Sequence, residues 1–434
     1  MRAANRPLPG AGLPGGPAFA SNADLQRRVE RAFDLAETTI EQIVACESGL
    51  DLSALEAPPD KVVAETAMLL RAVATLPDGT VRRCRVAALA SQLAVYAQGP
   101  RIAAGIALHP SLARDYGAAH IVLKAAGFGS PRCDAALERA RLADAAQGRE
   151  RLPHRELEQA WLAWLSDGET PIAGLAERTA LGRGIDLLFG KRDDVYALTH
   201  ALMYATDFGG AALPGLPRSP DRIAAEADSA LAGALDDDDF DLAGELLLAA
   251  PYLRREWSPA ASFGFAVLAF VEDEVGVLPS LSLDREGYER HDPASRAAYV
   301  TAVAYHTAFV MGLLCAAILR REERPSLARI ETSAATADRL IEDLLADPRR
   351  PQWLMFIRRL DSGERAALTP FLLDVAIRRA ARRLELGQVE RALRRGVEPS
   401  VPATPLRLQA AELLQRLAAA SAELAVQAPA PVPA

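Results

Sequence analysis

The chain has 434 residues, 50% of them hydrophobic, 24% charged and only 6% aromatic, with a net charge of −8. An acidic balance of this kind argues against non-specific nucleic-acid binding and against a polybasic membrane surface. Scarce aromatic and β-branched runs favour closely packed helices over sheet.

The first 22 residues are rich in Pro, Gly and Ala without periodicity, which predicts a disordered segment and breaks any signal-peptide core. Asn22-Ala-Asp24 then caps a helix whose apolar stripe of Leu25, Val29, Phe33, Ile40 and Ile43 runs to Cys46. Cys46, Cys84, Cys133 and Cys315 show neither CxxC nor metal-ligand spacing and read as thiols of a reducing cytoplasm. Pro58-Pro59-Asp60 starts a helix that stops at Pro77-Asp-Gly79. Pro and Gly turns then separate helices expected over 81–96, 101–108, 112–125, 133–146, 152–165 and 172–181.

After a linker holding Pro214, Pro217 and Pro220, helices are expected over 221–235, 242–250 and 259–272, then one long apolar helix over 294–320. Its apolar core, near Ala308–Leu319, is too short to span a bilayer. Segments 326–346, 352–359 and 364–386 are more charged and read as outer helices, and the basic 378–395 region reads as a solvated face. Pro399–Pro405 breaks the chain before a detached amphipathic helix over 406–424 and a Pro/Ala tail. This gives a disordered segment 1–22, a helical domain 23–396 with a central cavity, and a linker, helix and tail over 397–434. The alternation of apolar and charged helices predicts an all-α, two-layer helical array, an α/α toroid or curved solenoid.

The sharpest chemical signal is Asp193-Asp194-Val-Tyr196-Ala-Leu-Thr199-His200-Ala-Leu-Met-Tyr204-Ala-Thr206-Asp207-Phe208-Gly-Gly. At about 100° per residue, Asp193, His200 and Asp207 fall within roughly 20° of one line, with Tyr196 and Tyr204 about 40° from it. An imidazole exchanges protons near neutral pH, a carboxylate can orient it, and a tyrosine can donate. Asp193, at the helix start, reads as a cap suited to the dipole. His306, on the other strongly apolar helix, is the natural second half of a site, with Ser295 and Tyr299 expected on its face. His200, His306 and Asp207 would also suit a metal, but no HxxxH or ExxH pair supports one, so no cofactor is assigned.

Elsewhere the polar residues have plainer readings. The run Asp236–Asp239, followed by Phe240-Asp241, is similar to the aspartate-rich motifs of terpene cyclases, yet it lies in a turn and reads as a solvated helix cap. Glu272-Asp273-Glu274 places acids at a helix end, where they are unfavourable unless one is held. No P-loop, GxGxxG after a strand, GxSxG or HExxH occurs.

The segments Leu198-Thr199-His200, Tyr204-Ala-Thr206-Asp207-Phe208-Gly209 and Tyr305-His306-Thr307 resemble an uncharacterised bacterial family of helical proteins found among specialised-metabolism genes, over roughly residues 55–320. The resemblance implies a biosynthetic setting and no established activity. The residues themselves lead to an expected enzyme without a redox cofactor, performing elimination, isomerisation or cyclisation of a small molecule. His200 is the base, Tyr204 or His306 the acid, and Asp207 the orienter or cation stabiliser. The alternative is a non-catalytic helical scaffold for a carrier protein or peptide. Ring separations beyond about 12 Å between His200 and His306 would favour that scaffold, because no small substrate bonds both across such a gap.

Overall fold

The computed structural model describes residues 20–47, 58–77, 80–143, 150–168, 172–331, 333–396 and 401–427. Most of the expected disordered N-terminal segment, the 397–400 part of the linker, the tail beyond 427 and the side chain of Cys46 lie outside the described residues. Among the described residues every regular element is helical and no strand occurs, so the protein is all-α.

The helix starts follow from local chemistry. Ser219 and Ser258 each accept a hydrogen bond from a backbone N–H three residues on, and each is followed by a proline in the first turn. Asp239 does the same for Phe240–Leu247 by accepting from the Leu242 N–H. The core is organised around Tyr305–Leu319, a helix without Asp, Glu, Lys or Arg that is buried continuously from Thr307 to Ile318. It packs on Asn22–Glu47, Pro59–Ala74 and Phe240–Leu247. Two glycines set these crossings. A Cβ at Gly312 would lie 2.5 Å from the Ala32 Cβ, and one at Gly244 would lie 2.6 Å from Val310 Cγ1. No single described helix is long and apolar enough to cross a membrane.

Four expectations are corrected. The long helix over 294–320 is two, Pro293–Val303 and Tyr305–Leu319, bent by 81° at Ala304. Ser280 Oγ donates to the Val303 carbonyl at 2.6 Å, satisfying it outside the helical ladder. Ser295 and Tyr299 therefore leave the face of His306, and the Tyr299 hydroxyl instead accepts from the Asp284 N–H.

The acidic run caps a helix as expected, through Asp239, but only Asp237 is exposed. Asp236 and Asp239 are buried, with Arg379 paired to Asp236 and Arg192 to Asp239 at 2.7 Å. The basic region is correspondingly turned inward at its start, where Arg379 is buried and Arg378 donates to Asp237 at 2.9 Å. The C-terminal helix, Pro405–Gln427, is docked rather than detached. Leu406 and Ala410 are fully buried, and Gln409 bonds the Ile185 carbonyl and the Leu187 N–H, each at 2.8 Å.

Glu272 is held as its position demanded, by Arg28, which is 1% exposed and also reaches Asp24 and Asp273.

Candidate active site

Four helices converge where Tyr305–Leu319 begins. On Pro59–Ala74 the residues Val62, Val63, Ala67 and Leu70 enter the core, and Glu65 lines a cavity beside them. Arg192–Ala205 starts with a side-chain cap, in which Asp194 accepts from the Lys191 N–H at 2.8 Å, while Asp193 is exposed and stands away from the cavity. Further along this helix, Leu198 to Ala205 are all buried and carry His200 and Tyr204 inward. Phe240–Leu247 contributes Asp241 and Glu245, one helical turn apart and so on one face. His306 sits in the first turn of Tyr305–Leu319.

The cavity is about 340 Å³. Its polar wall includes Glu65, Glu158, Tyr196, His200, Tyr204, Glu245 and His306, and its apolar wall Met203, Phe208, Phe309 and Leu313. A larger cavity of about 670 Å³, beside Asp228, Asp374 and Arg339, contains none of the residues singled out by the sequence.

One oxygen ties the two histidines together. Glu245 Oε1 lies 3.5 Å from His200 Nε2 and 3.4 Å from His306 Nε2, far inside a 12 Å separation. Its other oxygen accepts from the Thr199 hydroxyl. His306 is surrounded by acids, with Glu65 Oε2 at 3.2 Å from Nδ1 and Asp241 Oδ1 at 3.4 Å from Nε2. Burial opposes charge on this imidazole, but Glu65 and Asp241 overcome it and raise its pKa well above the ordinary value. Burial likewise works against the Glu245 carboxylate, and His200 and His306 nevertheless hold it below the usual range. Asp241 is raised, because burial outweighs the attraction of His306.

His200 packs under Tyr196, with ring centroids 3.9 Å apart, and meets His154 and Tyr204 edge-on at 6.4 and 5.9 Å. Tyr204 donates its hydroxyl proton to Glu158 Oε1 at 2.8 Å, and burial pushes its pKa upward.

Of the residues expected from sequence, His200, Tyr204 and His306 meet at this cavity and Asp207 does not. Asp207 accepts from the Trp161 indole N–H at 2.8 Å and from Arg71 at 2.7 Å, in a small separate recess. The helix ends just before it, and Asp207, Phe208 and Gly209 adopt successive left-handed conformations with φ of 49°, 52° and 79°. That reversal swings the Asp207 side chain off the helical line that would have stacked it with His200. Arg320 and Arg321 then donate to the freed carbonyls of Phe208 and Gly209.

The acids that do face the histidines are Glu65, Asp241 and Glu245, and sequence reasoning missed all three. The available signal was Asp241 and Glu245 at i, i+4 within an otherwise apolar segment, a pairing that places two like charges side by side in a buried helix. Asp241, Glu245 and His306 offer ligand atoms that all lie within 4.8 Å of one another, so among the described residues this set could hold a metal.

An all-α protein with a carboxylate–histidine cluster at the foot of one cavity is the class these features define. Residues 29–316 match a family described as a domain of unknown function (DUF6895), and the chain belongs to that family. No curated protein and no solved structure matches the chain.

Proposed function

We propose that the protein is an enzyme of small-molecule biosynthesis that performs acid–base chemistry, an elimination, isomerisation or cyclisation, in the 340 Å³ cavity. The observation that carries this reading is the setting of His200. Its Nε2 faces Glu245, while its Nδ1 makes no hydrogen bond and the residue lines the cavity. An imidazole held beside a carboxylate at the wall of a cavity can exchange a proton with a bound molecule. An isomerisation is balanced inside such a pocket, because the proton that His200 takes from one carbon is the one returned to another. Tyr204 donates its single hydroxyl proton to Glu158, so it would support the oxygen on which charge gathers only by exchanging that bond for one to the bound molecule. His306, crowded by three carboxylates, is a poor proton carrier and holds its neighbours in place. This replaces the expected role of Asp207 with Glu245 and leaves Asp207 outside the reaction.

Expression of the chain together with its neighbouring genes, with metabolite profiling, tests the reading. His200→Gln should fold normally and lower the chain-dependent product by about 100-fold or more, the usual range for loss of a general base. Unchanged product from a folded His200→Gln protein rejects it.

A further inference from the structure

We infer that Asp241, Glu245 and His306 form a divalent transition-metal site, with Glu65 as the acid behind the histidine. The carrying observation is a set of buried polar atoms that make no hydrogen bond. His306 Nε2, Asp241 Oδ1 and Glu245 Oε1 are buried atoms that make no hydrogen bond, and they face one small volume. Glu245 is 1% exposed, so water does not solvate its oxygen. Two carboxylate oxygens and a neutral imidazole nitrogen repel one another at close range unless a proton or a metal ion stands between them.

The dimensions suit a metal ion. Bonds of about 2.1 Å place neighbouring ligand atoms about 3 to 3.5 Å apart, and His306 Nε2 lies 3.4 Å from each of the two oxygens. Glu65 Oε2, 3.2 Å from Nδ1, is where a carboxylate behind a ligating histidine stands. With an ion bound it would keep the proton on Nδ1 and leave the Nε2 lone pair for the metal. Arg192 bonds Asp241 through Oδ2 at 3.0 Å, and Lys61 lies 3.6 Å from Glu65 Oε1. Each cation thus meets the carboxylate oxygen that does not face the histidine, and neither bonds the three inward atoms. One nitrogen and two oxygens from the protein leave further coordination positions for water or a bound molecule, an arrangement that fits Mn²⁺, Fe²⁺ or Zn²⁺ over the larger and harder Ca²⁺. A bound ion there would sit beside His200 and could polarise an oxygen of a molecule in the cavity.

This goes beyond the acid–base reading, and its test needs no activity. The full-length protein, stripped by chelation, is dialysed against Mn²⁺ and against Zn²⁺ separately, and bound metal is measured by mass spectrometry alongside a thermal melt. The expected result is one ion per chain and a higher melting temperature on loading. Glu245→Gln and His306→Gln should each weaken binding at least 10-fold, and Glu65→Gln by about 10- to 100-fold as a group that only orients a ligand. Asp207→Asn should leave binding unchanged. If His306→Gln fails to fold, the milder Glu65→Gln decides. No stoichiometric binding of either metal, or binding that Glu245→Gln and Glu65→Gln leave intact, overturns the site. A missing metal would leave the His200 result untouched, and an inert His200→Gln would leave metal binding untouched.

Discussion

A carboxylate is kept in a protein interior either for its chemistry or for a neighbour that requires its charge, and Asp207 belongs to the second group. Its two oxygens are divided between Trp161 and Arg71, both of which would lose a partner without it. Asp207→Asn keeps an acceptor for the indole but removes the charge opposite Arg71. Urea unfolding should show a loss of about 1–3 kcal/mol. Trp161→Phe, which orphans the Asp207 oxygen, should cost a similar amount. His200, Tyr204 and His306 were legible in the sequence because polar, titratable groups on very apolar helices stand out. Glu65 was not, since a glutamate within a helix is usually a solvated residue, and Glu245 was marked only by its i, i+4 spacing from Asp241 in an apolar segment. Asp207 misled for a different reason: helical spacing does not carry past the end of the helix, and Asp207 lies beyond Ala205, where this one stops.

Among the elements, the first helix and Pro259–Val275 are joined by charge rather than by apolar packing alone. Arg28 is the tie, and burial drives the Glu272 pKa up against its attraction. Arg28→Met should destabilise the fold by about 3–5 kcal/mol, because it strands a buried carboxylate. Arg28→Met combined with Glu272→Gln should be less damaging than the single change, a coupling that a double-mutant cycle reads directly. A loss in the double variant equal to the sum of the two single losses would show that the pair contributes nothing of its own. Most helix positions could be read from Ser, Asp, Pro and Gly punctuation. The break at Ala304 could not, because the group that satisfies the Val303 carbonyl there is Ser280, a residue in a separate connection with no local mark in the broken helix.

At the level of the molecule, the core extends beyond the family-matched stretch. Residues 29–316 end inside the buried helix Tyr305–Leu319 and omit Arg28, while buried residues continue to Ala410. A fragment limited to that stretch should bind a hydrophobic dye and lack a cooperative melt, whereas the full chain should melt cooperatively. The C-terminal helix also creates a pH response. Thr404, just ahead of it, and Ser229 both donate to Asp374, which is 2% exposed. Burial pushes the Asp374 carboxyl up to about 7 against those hydrogen bonds. Unfolded, the group titrates at about 3.9. The folded state therefore holds its proton over a window where the unfolded chain has released it. The stability linked to this group is complete below about pH 4 and is lost as pH rises towards 7. Asp374→Asn should flatten that window and stabilise the protein at pH 8 by a few kcal/mol, since each tenfold difference in proton affinity between the two states corresponds to about 1.4 kcal/mol. Urea midpoints at pH 5 and pH 8 measure it.

The four helices that meet at the cavity supply Glu65, His200, Glu245 and His306, which lie far apart along the chain. A protein made from its N-terminus presents these groups one at a time, and the histidine that completes the cluster leaves the ribosome last among them. Until then Glu65 is only a helix carboxylate, and His200 has no fixed acid beside it. The carboxylate–histidine cluster can therefore assemble only once Tyr305–Leu319 has emerged and been enclosed by its neighbours.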